Sequence, residues 1–134
     1  MRKNVVKLIL KEAKKAYKKG EIPVGAAVMK NNKIISSAHN VRQKKCDVTG
    51  HAEIKSILKA AKKIGDWRLN GCELYVTLEP CDMCRKIIEE SRLNKVYYLK
   101  SANKNNKNKM ISYQHLNENE EYSKMFDSFF KKLR

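Results

Sequence analysis

Apolar residues recur with helical spacing in four parts of the chain, with polar or charged residues between them. They predict helices at residues 2–19, 51–64 and 81–92, and a last helix that begins after the acidic segment 117–121 and runs to the end. Gly20 favours the end of the first helix. The predicted core-facing residues are Val6, Ile9, Leu10, Ala13 and Tyr17 in the first helix, Ile54, Ile57, Leu58 and Ala61 in the second, Ile87 and Ile88 in the third, and Tyr122, Met125, Phe126, Phe129 and Leu133 in the last. Met83 in the third helix is predicted to be a packing residue.

Short runs of β-branched and aromatic residues between these helices predict five strands. The pair Asn31-Asn32 separates the first two runs and predicts the tight turn of a β-hairpin. Pro23 is expected at the beginning of the first strand, because it has no N–H for the sheet. Polar, basic residues predict loops at 41–50 and 100–109. The five predicted strands are residues 21–29, 33–39, 72–78, 95–99 and 110–116.

The order of these elements predicts an α/β fold with a central mixed sheet of about five strands, in a single domain over residues 1–134. The helices at 51–64 and 81–92 each join two predicted strands, and such units form parallel crossovers. The starts of both helices are therefore expected at one edge of the sheet. Sheets of this kind bind ligands beyond the carboxyl ends of their strands.

The starts of these two helices contain residues that bind metals. His51-Ala52-Glu53 opens one helix, and Pro80-Cys81-Asp82-Met83-Cys84 leads into the other. One imidazole and two thiols make three zinc ligands, and zinc with three protein ligands keeps a fourth position for water. Glu53 is not needed as a ligand and is placed to move protons. The pattern H-x-E…P-C-x-x-C is the described signature of zinc nucleobase deaminases. The sequence thus predicts one Zn²⁺ per subunit.

Three other interpretations of these residues are possible. The first is a structural zinc, which requires a fourth protein ligand. The second is a redox dithiol, which leaves the H-x-E segment unexplained. The third is that these are ordinary buried Cys and His residues, a poor account of all four positions together. The candidates for a fourth ligand are Cys46, Cys72, His39 and His115, none of which has the paired spacing of a zinc knuckle.

The net charge of +16, with 30 Lys and Arg against 14 Asp and Glu, favours a polyanionic partner such as nucleic acid. The alternative is that the lysines reflect an AT-rich genome and lie on solvated surfaces. Four cysteines without a recognisable secretory signal predict a reducing compartment, the cytoplasm. No apolar stretch approaches the length of a membrane span, so no membrane partner is expected.

The whole order of motifs resembles the cytidine-deaminase-like family, and within it the bacterial tRNA adenosine deaminases, which convert the wobble adenosine of an anticodon to inosine. The closing aromatic pair Phe129-Phe130, with basic residues after it, adds to the likeness. The other segments that carry the resemblance are Ile22-Pro23-Val24-Gly25-Ala26, Asn40, His51-Ala52-Glu53-Ile54 and Leu74-Tyr75-Val76-Thr77-Leu78-Glu79-Pro80-Cys81-Asp82-Met83-Cys84.

The resemblance implies a three-layer α/β/α fold and a homodimer that acts on a tRNA anticodon loop. It implies that His51, Cys81 and Cys84 bind zinc and that Glu53 is the catalytic proton shuttle. It also implies that Asn40 reads the base, that the Ala52 N–H steadies the developing oxyanion, and that Val24 and Phe130 contact the substrate. One segment departs from the family pattern: Ser101-Ala102-Asn103 stands where an Asp-x-Lys-x-Gly segment is usual.

Hydrolytic deamination of a tRNA adenosine is therefore the predicted function. A wobble base already lies in a loop, so little free energy is needed to take it out of its stack. Two alternatives remain. The first is a deaminase of a free base or nucleoside, such as guanine, cytosine or cytidine. The second is a zinc-stabilised RNA-binding domain without catalysis.

Overall fold

The computed structural model describes residues 2–102 and 111–132, with nothing stated of the side chains of Lys44 and Lys45. Most of the predicted basic loop 100–109, together with Leu133, lies outside the described residues. The elements are α1 (Arg2–Lys18), β1 (Gly25–Lys30), β2 (Lys33–His39), α2 (Arg42–Lys45), α3 (Ala52–Ile64), β3 (Cys72–Leu78), α4 (Asp82–Glu90), β4 (Lys95–Lys100), β5 (Ser112–His115) and α5 (Glu120–Lys132).

The five strands form one mixed sheet in the order β2-β1-β3-β4-β5, which confirms the predicted sheet. β1 is antiparallel to β2 and to β3, whereas β3, β4 and β5 are mutually parallel. The hairpin turn is confirmed, since Asn31 and Asn32 have φ values of 51° and 63°. The predicted crossover through α3 differs in one respect: β2 and β3 run in the same direction, but β1 lies between them.

Helices cover both faces of the sheet, which confirms the three-layer arrangement. On one face, Val5 and Ile9 of α1 pack in a cluster with Ala27 of β1. On the other face, Ile57 of α3 and Ile88 of α4 pack in a second cluster with further residues of the sheet. α5 lies beside α1, where the Tyr17 and Ser128 hydroxyls are 2.8 Å apart. In the described part of the chain, no helix combines the length and the apolar character needed to span a bilayer.

The buried stripe of α1 is rotated from the predicted one. Val5, Ile9, Ala13 and Ala16 are buried, whereas the predicted Val6, Leu10 and Tyr17 are only half-buried. The reason is a close approach of α1 to β1 at Gly25, where an added Cβ would clash with the backbone of Ile9 and Ala13. Because the two backbones are so close, the alanine side of α1 fits against the sheet and its bulkier residues turn away.

Two predicted packing residues are exposed. Leu58 of α3 is 56% exposed and Met83 of α4 is 37% exposed, so both predictions were wrong. In α3 the buried face includes the polar residues Glu53 and Ser56. The Ser56 and Ser36 hydroxyls are 3.0 Å apart. Hydrophobic periodicity does not detect buried polar residues, so it extended the predicted stripe to Leu58, although Ile54 and Ile57 are buried as predicted.

Several element ends also differ from the predictions. β1 begins at Gly25 and not at Glu21, because the chain turns before it, with the Val24 N–H bonded to the Ile22 carbonyl. The predicted loop at 41–50 contains the short helix α2. The N-cap residue of α3 is His51, and not Thr49 or Gly50. α4 ends at Glu90, and Arg92 beyond it has a left-handed φ of 65°.

Candidate active site

The candidate ligands lie at the edge of the sheet where β2 and β3 end, as the sequence predicts. His51 is the N-cap residue of α3, and Cys81 is the N-cap residue of α4. Both have extended backbones, and neither side chain bonds back to its own helix. Cys84 lies in the first turn of α4 and is buried. The two helix starts therefore present an imidazole and two thiols to one point.

The spacing of these three residues fits a zinc ion. Their ligand atoms lie within 4.8 Å of one another. The His51 Nδ1 atom is 3.5 Å from the Cys84 Sγ and 4.0 Å from the Cys81 Sγ. Tetrahedral zinc with ordinary Zn–N and Zn–S bonds separates such atoms by roughly 3.5 Å. The imidazole and thiolate donors also suit zinc chemically, so the chain's own geometry accommodates the ion.

None of the candidate fourth ligands belongs to this group. Cys72 is buried in the core, and the exposed Cys46 thiol points to the Gln43 carbonyl. His39 lies 2.9 Å from a carboxylate oxygen of Glu12, and His115 bonds to the Leu99 carbonyl. Among the described residues, the metal-ligating group at this point contains only His51, Cys81 and Cys84. This arrangement favours a zinc with one position not filled by protein over a structural zinc.

The two thiols of the site titrate very differently in the protein without metal. Hydrogen bonds with Cys84 and His51 lower the pKa of the Cys81 thiol to about 3. The hydrogen bond with Cys81, together with burial, raises the pKa of the Cys84 thiol far above its usual range. The hydrogen bond with Cys81 also raises the pKa of His51. The Cys81 sulfur therefore already carries a negative charge, at the place where a divalent cation would bind.

Glu53 lies in the first turn of α3 and is buried, with only 4% of the residue exposed. Burial raises the pKa of its carboxyl group to about 7, against the lowering effects of its own backbone N–H and of the charge on His51. A carboxyl group with this pKa can both accept and donate a proton near neutral pH. Its position beside the three ligand residues suits acid–base chemistry at this point.

Asn40 connects β2 to the start of α3. Its Oδ1 atom accepts a 2.8 Å hydrogen bond from the Ala52 N–H, and its own N–H donates to the Val24 carbonyl. Asn40 is only 5% exposed. Since Oδ1 is engaged with the helix start, the side-chain NH₂ group is the part of Asn40 that is free to meet a ligand. An asparagine at the end of a strand is often only a turn former, but Asn40 also binds the start of α3.

A cavity of about 350 Å³ opens at the site. Five of the predicted site residues line it: Val24, Asn40, His51, Glu53 and Cys81. Phe130 of α5 is not among the lining residues, and 36% of it is exposed. Lining residues that were not predicted as site residues are Ile22, Arg42, Leu78, Glu79, Pro80, Asp82 and Ala102.

Of the lining residues that were not predicted, Glu79 was the hardest to identify from the sequence. One of its oxygens accepts a 2.7 Å hydrogen bond from Arg85, and the other accepts one from the Ala102 N–H. The Glu79 and Arg85 side chains are 2% and 8% exposed. The Arg85 guanidinium also lies 4.5 Å from the centre of the Tyr113 ring. The only sequence signal was the place of Glu79 directly before Pro80-Cys81.

Comparisons with known proteins agree with this geometry. The profile of the family described as cytidine and deoxycytidylate deaminase zinc-binding region matches residues 1–100. The tRNA-specific adenosine deaminase of Aquifex aeolicus is 40% identical to this chain over 142 aligned positions, which cover 96% of this chain and 93% of that protein. Most of both proteins is therefore comparable.

Two solved structures have the same fold. One comes from work on A-to-I editing by tRNA:A34 deaminases at the wobble position of transfer RNA. It has a TM-score of 0.79 and 30% identity, and the match covers 86% of this chain and 98% of that one. The other is the guanine deaminase of Bacillus subtilis, with a TM-score of 0.71, 25% identity, and coverage of 98% and 94%. The chain belongs to the zinc-binding cytidine and deoxycytidylate deaminase family and, within it, to the tRNA-specific adenosine deaminases.

Proposed function

We propose that this zinc-dependent deaminase converts adenosine to inosine at the wobble position of a tRNA anticodon loop. The Aquifex relative is named a tRNA-specific adenosine deaminase, and a structural neighbour at 30% identity comes from work on wobble editing. The net charge of +16 suits a polyanionic substrate. The observation that carries the proposal is the grouping of His51, Cys81 and Cys84 around a cavity that also contains the buried Glu53.

His51, Cys81 and Cys84 would hold the zinc ion, one per subunit. When bound, zinc supplies a lowered pKa for a water molecule at the site. Glu53 would take a proton from the attacking water and deliver it to the ring nitrogen of the base. It would then take the second proton, from the new hydroxyl group on the ring carbon, and pass it to the amino group, which leaves as ammonia while the carbonyl forms. The pKa of about 7 that burial gives to Glu53 suits both halves of this transfer.

Asn40 would hold the substrate base through its side-chain NH₂ group, while its Oδ1 stays on the Ala52 N–H. Because the Ala52 N–H is engaged by Asn40, Ala52 would contribute to substrate binding in this proposal by holding the Asn40 side chain in place. Val24 would form an apolar wall of the cavity. Phe130 lies outside the cavity and would contact a neighbouring part of the RNA by stacking.

The whole chain, residues 1–134, would act as one deaminase domain. We also propose a homodimer, because Leu58 and Trp67 are 56% and 54% exposed on the α3 side of the molecule. Exposed apolar groups of this size are typical of protein interfaces. A tRNA substrate and thiols that form no disulfide among the described cysteines suit the cytoplasm.

Incubation of the zinc-loaded protein with a synthetic anticodon stem-loop that carries a wobble adenosine tests the proposal. Inosine is the expected product. The Glu53→Gln protein should bind zinc and RNA like the wild type, and its rate should be lower by a factor on the order of 10²–10⁴, the usual contribution of a general acid–base. Equal, measurable rates for the two proteins would contradict the role of Glu53. RNA binding with no inosine from either protein would favour a zinc-stabilised RNA-binding domain.

Deamination of a free base is the second candidate function. It is favoured by the structural match to a guanine deaminase at 25% identity, which covers nearly all of both chains. Guanine, cytosine and cytidine are therefore the competing substrates in the same assay. Turnover of one of them, with none of the stem-loop, would replace the tRNA proposal.

A further inference from the structure

A second cavity, of about 490 Å³, lies beside the catalytic one, between the C-terminal half of α1, the end of β2 and the first turns of α3. We name it the basic cavity. Its lining includes Glu12 and Lys15 of α1, His39 of β2, and Lys55 and Lys59 of α3. Lys19 reaches its rim, with its amine 3.4 Å from the His39 Nε2 atom. The wall is therefore rich in amines, which come from two separate segments of the chain, while β2 contributes an imidazole.

The amines of the basic cavity exceed the carboxylates that neutralise them. Lys15 pairs with Glu12 at 3.1 Å, and Lys55 pairs with Asp47 at 2.8 Å. The other two lysines contact groups that are not carboxylates. The Lys59 amine donates to the Ser37 carbonyl at 3.0 Å, and the Lys19 amine lies on the His39 imidazole. In the described part of the chain, neither Lys19 nor Lys59 forms an ion pair with a carboxylate.

A buried carboxylate fixes the shape of this wall. Glu12 is only 6% exposed, and its two oxygens bind His39 and Lys15. Burial acts to raise the pKa of Glu12, but these two hydrogen bonds outweigh it and the pKa is lowered overall. The ionised Glu12 thereby holds the imidazole and one amine in place. The basic cavity is a shaped surface and not a set of independent lysines.

One short segment separates the basic cavity from the catalytic cavity. Asn40 and Arg42 line the catalytic cavity, whereas Val41 between them lines the basic cavity. Lys55 also lies one helical turn after His51, with its N–H bonded to the His51 carbonyl. A nucleotide whose base enters the catalytic cavity carries phosphates on both of its sides. The basic cavity is a shaped excess of positive charge beside the catalytic cavity, within the described part of the chain, and such a phosphate could meet it there.

From this arrangement we infer that the basic cavity binds the sugar–phosphate backbone of the RNA strand next to the reacting adenosine. The inference rests on the proposed tRNA function. It assigns Lys19 and Lys59 to phosphate binding, because their charges are not used by a protein carboxylate. Lys15 and Lys55, which are paired, keep the wall in place.

The test compares two double variants on the same two helices or their immediate ends. Lys19→Gln with Lys59→Gln removes the unpaired amines of the basic cavity. Lys11→Gln with Lys63→Gln is the matched control, since both residues are exposed, lie in α1 and α3, and do not line the cavity. Each pair lowers the net charge equally. Fluorescence anisotropy with a labelled anticodon stem-loop then measures affinity at several salt concentrations.

The cavity variant is expected to bind the stem-loop roughly tenfold more weakly at low salt. The slope of log affinity against log salt should flatten by about 0.7 for each single-strand phosphate that the protein no longer neutralises. The control variant should keep the wild-type slope. Lys19→Arg with Lys59→Arg retains the charges and should restore binding, which separates loss of charge from a folding defect.

A chemical change in the RNA locates the phosphate that is bound. Neutral methylphosphonates replace single phosphates on either side of the reacting adenosine. One of them should weaken binding to the wild type, and the same substitution should have no further effect on the Lys19→Gln, Lys59→Gln protein. Equal affinity losses in the two double variants would overturn the inference. So would a methylphosphonate penalty that is the same in both proteins.

The same samples distinguish this inference from the proposed function. Inosine formation by the wild type reports on the function, whereas the affinities report on the basic cavity. A wild type that forms inosine, with a cavity variant that binds like the control, would remove the phosphate site and leave the function. A wild type that forms no inosine would remove the function, and the affinities would still decide the phosphate site.

Discussion

Two buried carboxylates, Glu12 and Glu79, hold the two segments that carry the candidate zinc ligands, and they do so with different partners. Glu12 binds His39, the last residue of β2, on the side that leads to His51. Glu79 binds Arg85 of α4, on the side of the thiols. The Glu79 pair is the more buried, with side-chain exposures of 2% and 8% against 8% and 15% for the Glu12 pair.

The difference shows that the two sides of the site are held with different rigidity. An arginine stays charged at every pH that proteins experience, and its fork can bind a carboxylate at fixed geometry. The Glu79–Arg85 pair therefore makes a permanent connection within the thiol-bearing segment. The Glu12 carboxylate binds both the His39 imidazole and the half-exposed Lys15 amine, so the geometry on its side of the site is less rigidly fixed. That side also contains the basic cavity.

The largest effect is expected from breaking the Glu79–Arg85 pair. Arg85→Met leaves a buried carboxylate without its cation, and removal of one partner from a buried pair costs about 3–5 kcal/mol of unfolding free energy. Urea unfolding measures the loss. Zinc affinity, measured by competition with a chelator, should fall too, because Arg85 directly follows Cys84.

The double variant Glu79→Gln, Arg85→Met is the control for this prediction. Without the charge of Glu79, most of the lost stability should return. If the double variant is as unstable as Arg85→Met alone, the loss comes from packing around Arg85 and not from its charge.

A smaller effect is expected at the start of α3. Asn40→Ala removes the acceptor of the Ala52 N–H, and a buried donor left without a partner costs roughly 1–3 kcal/mol. Asn40→Asp keeps an acceptor oxygen but loses the NH₂ group that faces the cavity. In our proposal it should therefore retain more stability than Asn40→Ala while its KM for the stem-loop rises. Equal kinetic constants for Asn40→Asp and the wild type would exclude contact between Asn40 and the base.

Loss of the Glu12 charge should have a modest effect that depends on pH. Glu12→Gln is expected to lower the unfolding free energy by roughly 1 kcal/mol near neutral pH, the typical value of one hydrogen bond. The pKa of Glu12 is lowered in the folded protein, so its contribution is present above the unfolded pKa near 4.5 and is lost as the pH falls through the folded pKa. Wild-type and variant stabilities should therefore converge in acid. A difference that persists unchanged at pH 2 would contradict this account.

The smallest effect is expected at Asp47, which pairs with Lys55 at the surface. Hydrogen bonds from Lys55 and Thr49 lower the pKa of Asp47, but the pair lies near the surface, where 29% of each side chain is exposed. Exposed ion pairs contribute little to stability. Asp47→Ala should leave the melting temperature unchanged and should bind the stem-loop more tightly, because it frees the Lys55 amine at the basic cavity. Weaker RNA binding by this variant would contradict the position of that cavity.

The sequence by itself determined the strands, the hairpin turn and the positions of the metal-binding residues. β2 and β3 have the predicted bounds. The strands and the metal-binding residues can be predicted from local chemistry. Alternating or β-branched runs favour extended chain, and a ligand set is defined by its residue types. The expectation that both ligand segments reach one edge of the sheet also held, because it follows from the direction of strands that lead into helices.

Only the tertiary structure decided which side of each helix is buried and which charges are paired. Leu58 is exposed, whereas Glu53 is buried at the candidate active site and Ser56 is buried against Ser36 of β2. Glu12 meets His39 across 27 positions of the chain. Arg85 meets Glu79 only because α4 folds back on the end of β3. Such pairs depend on the free energy of placing charges together away from water, and hydrophobic periodicity carries no information about that quantity.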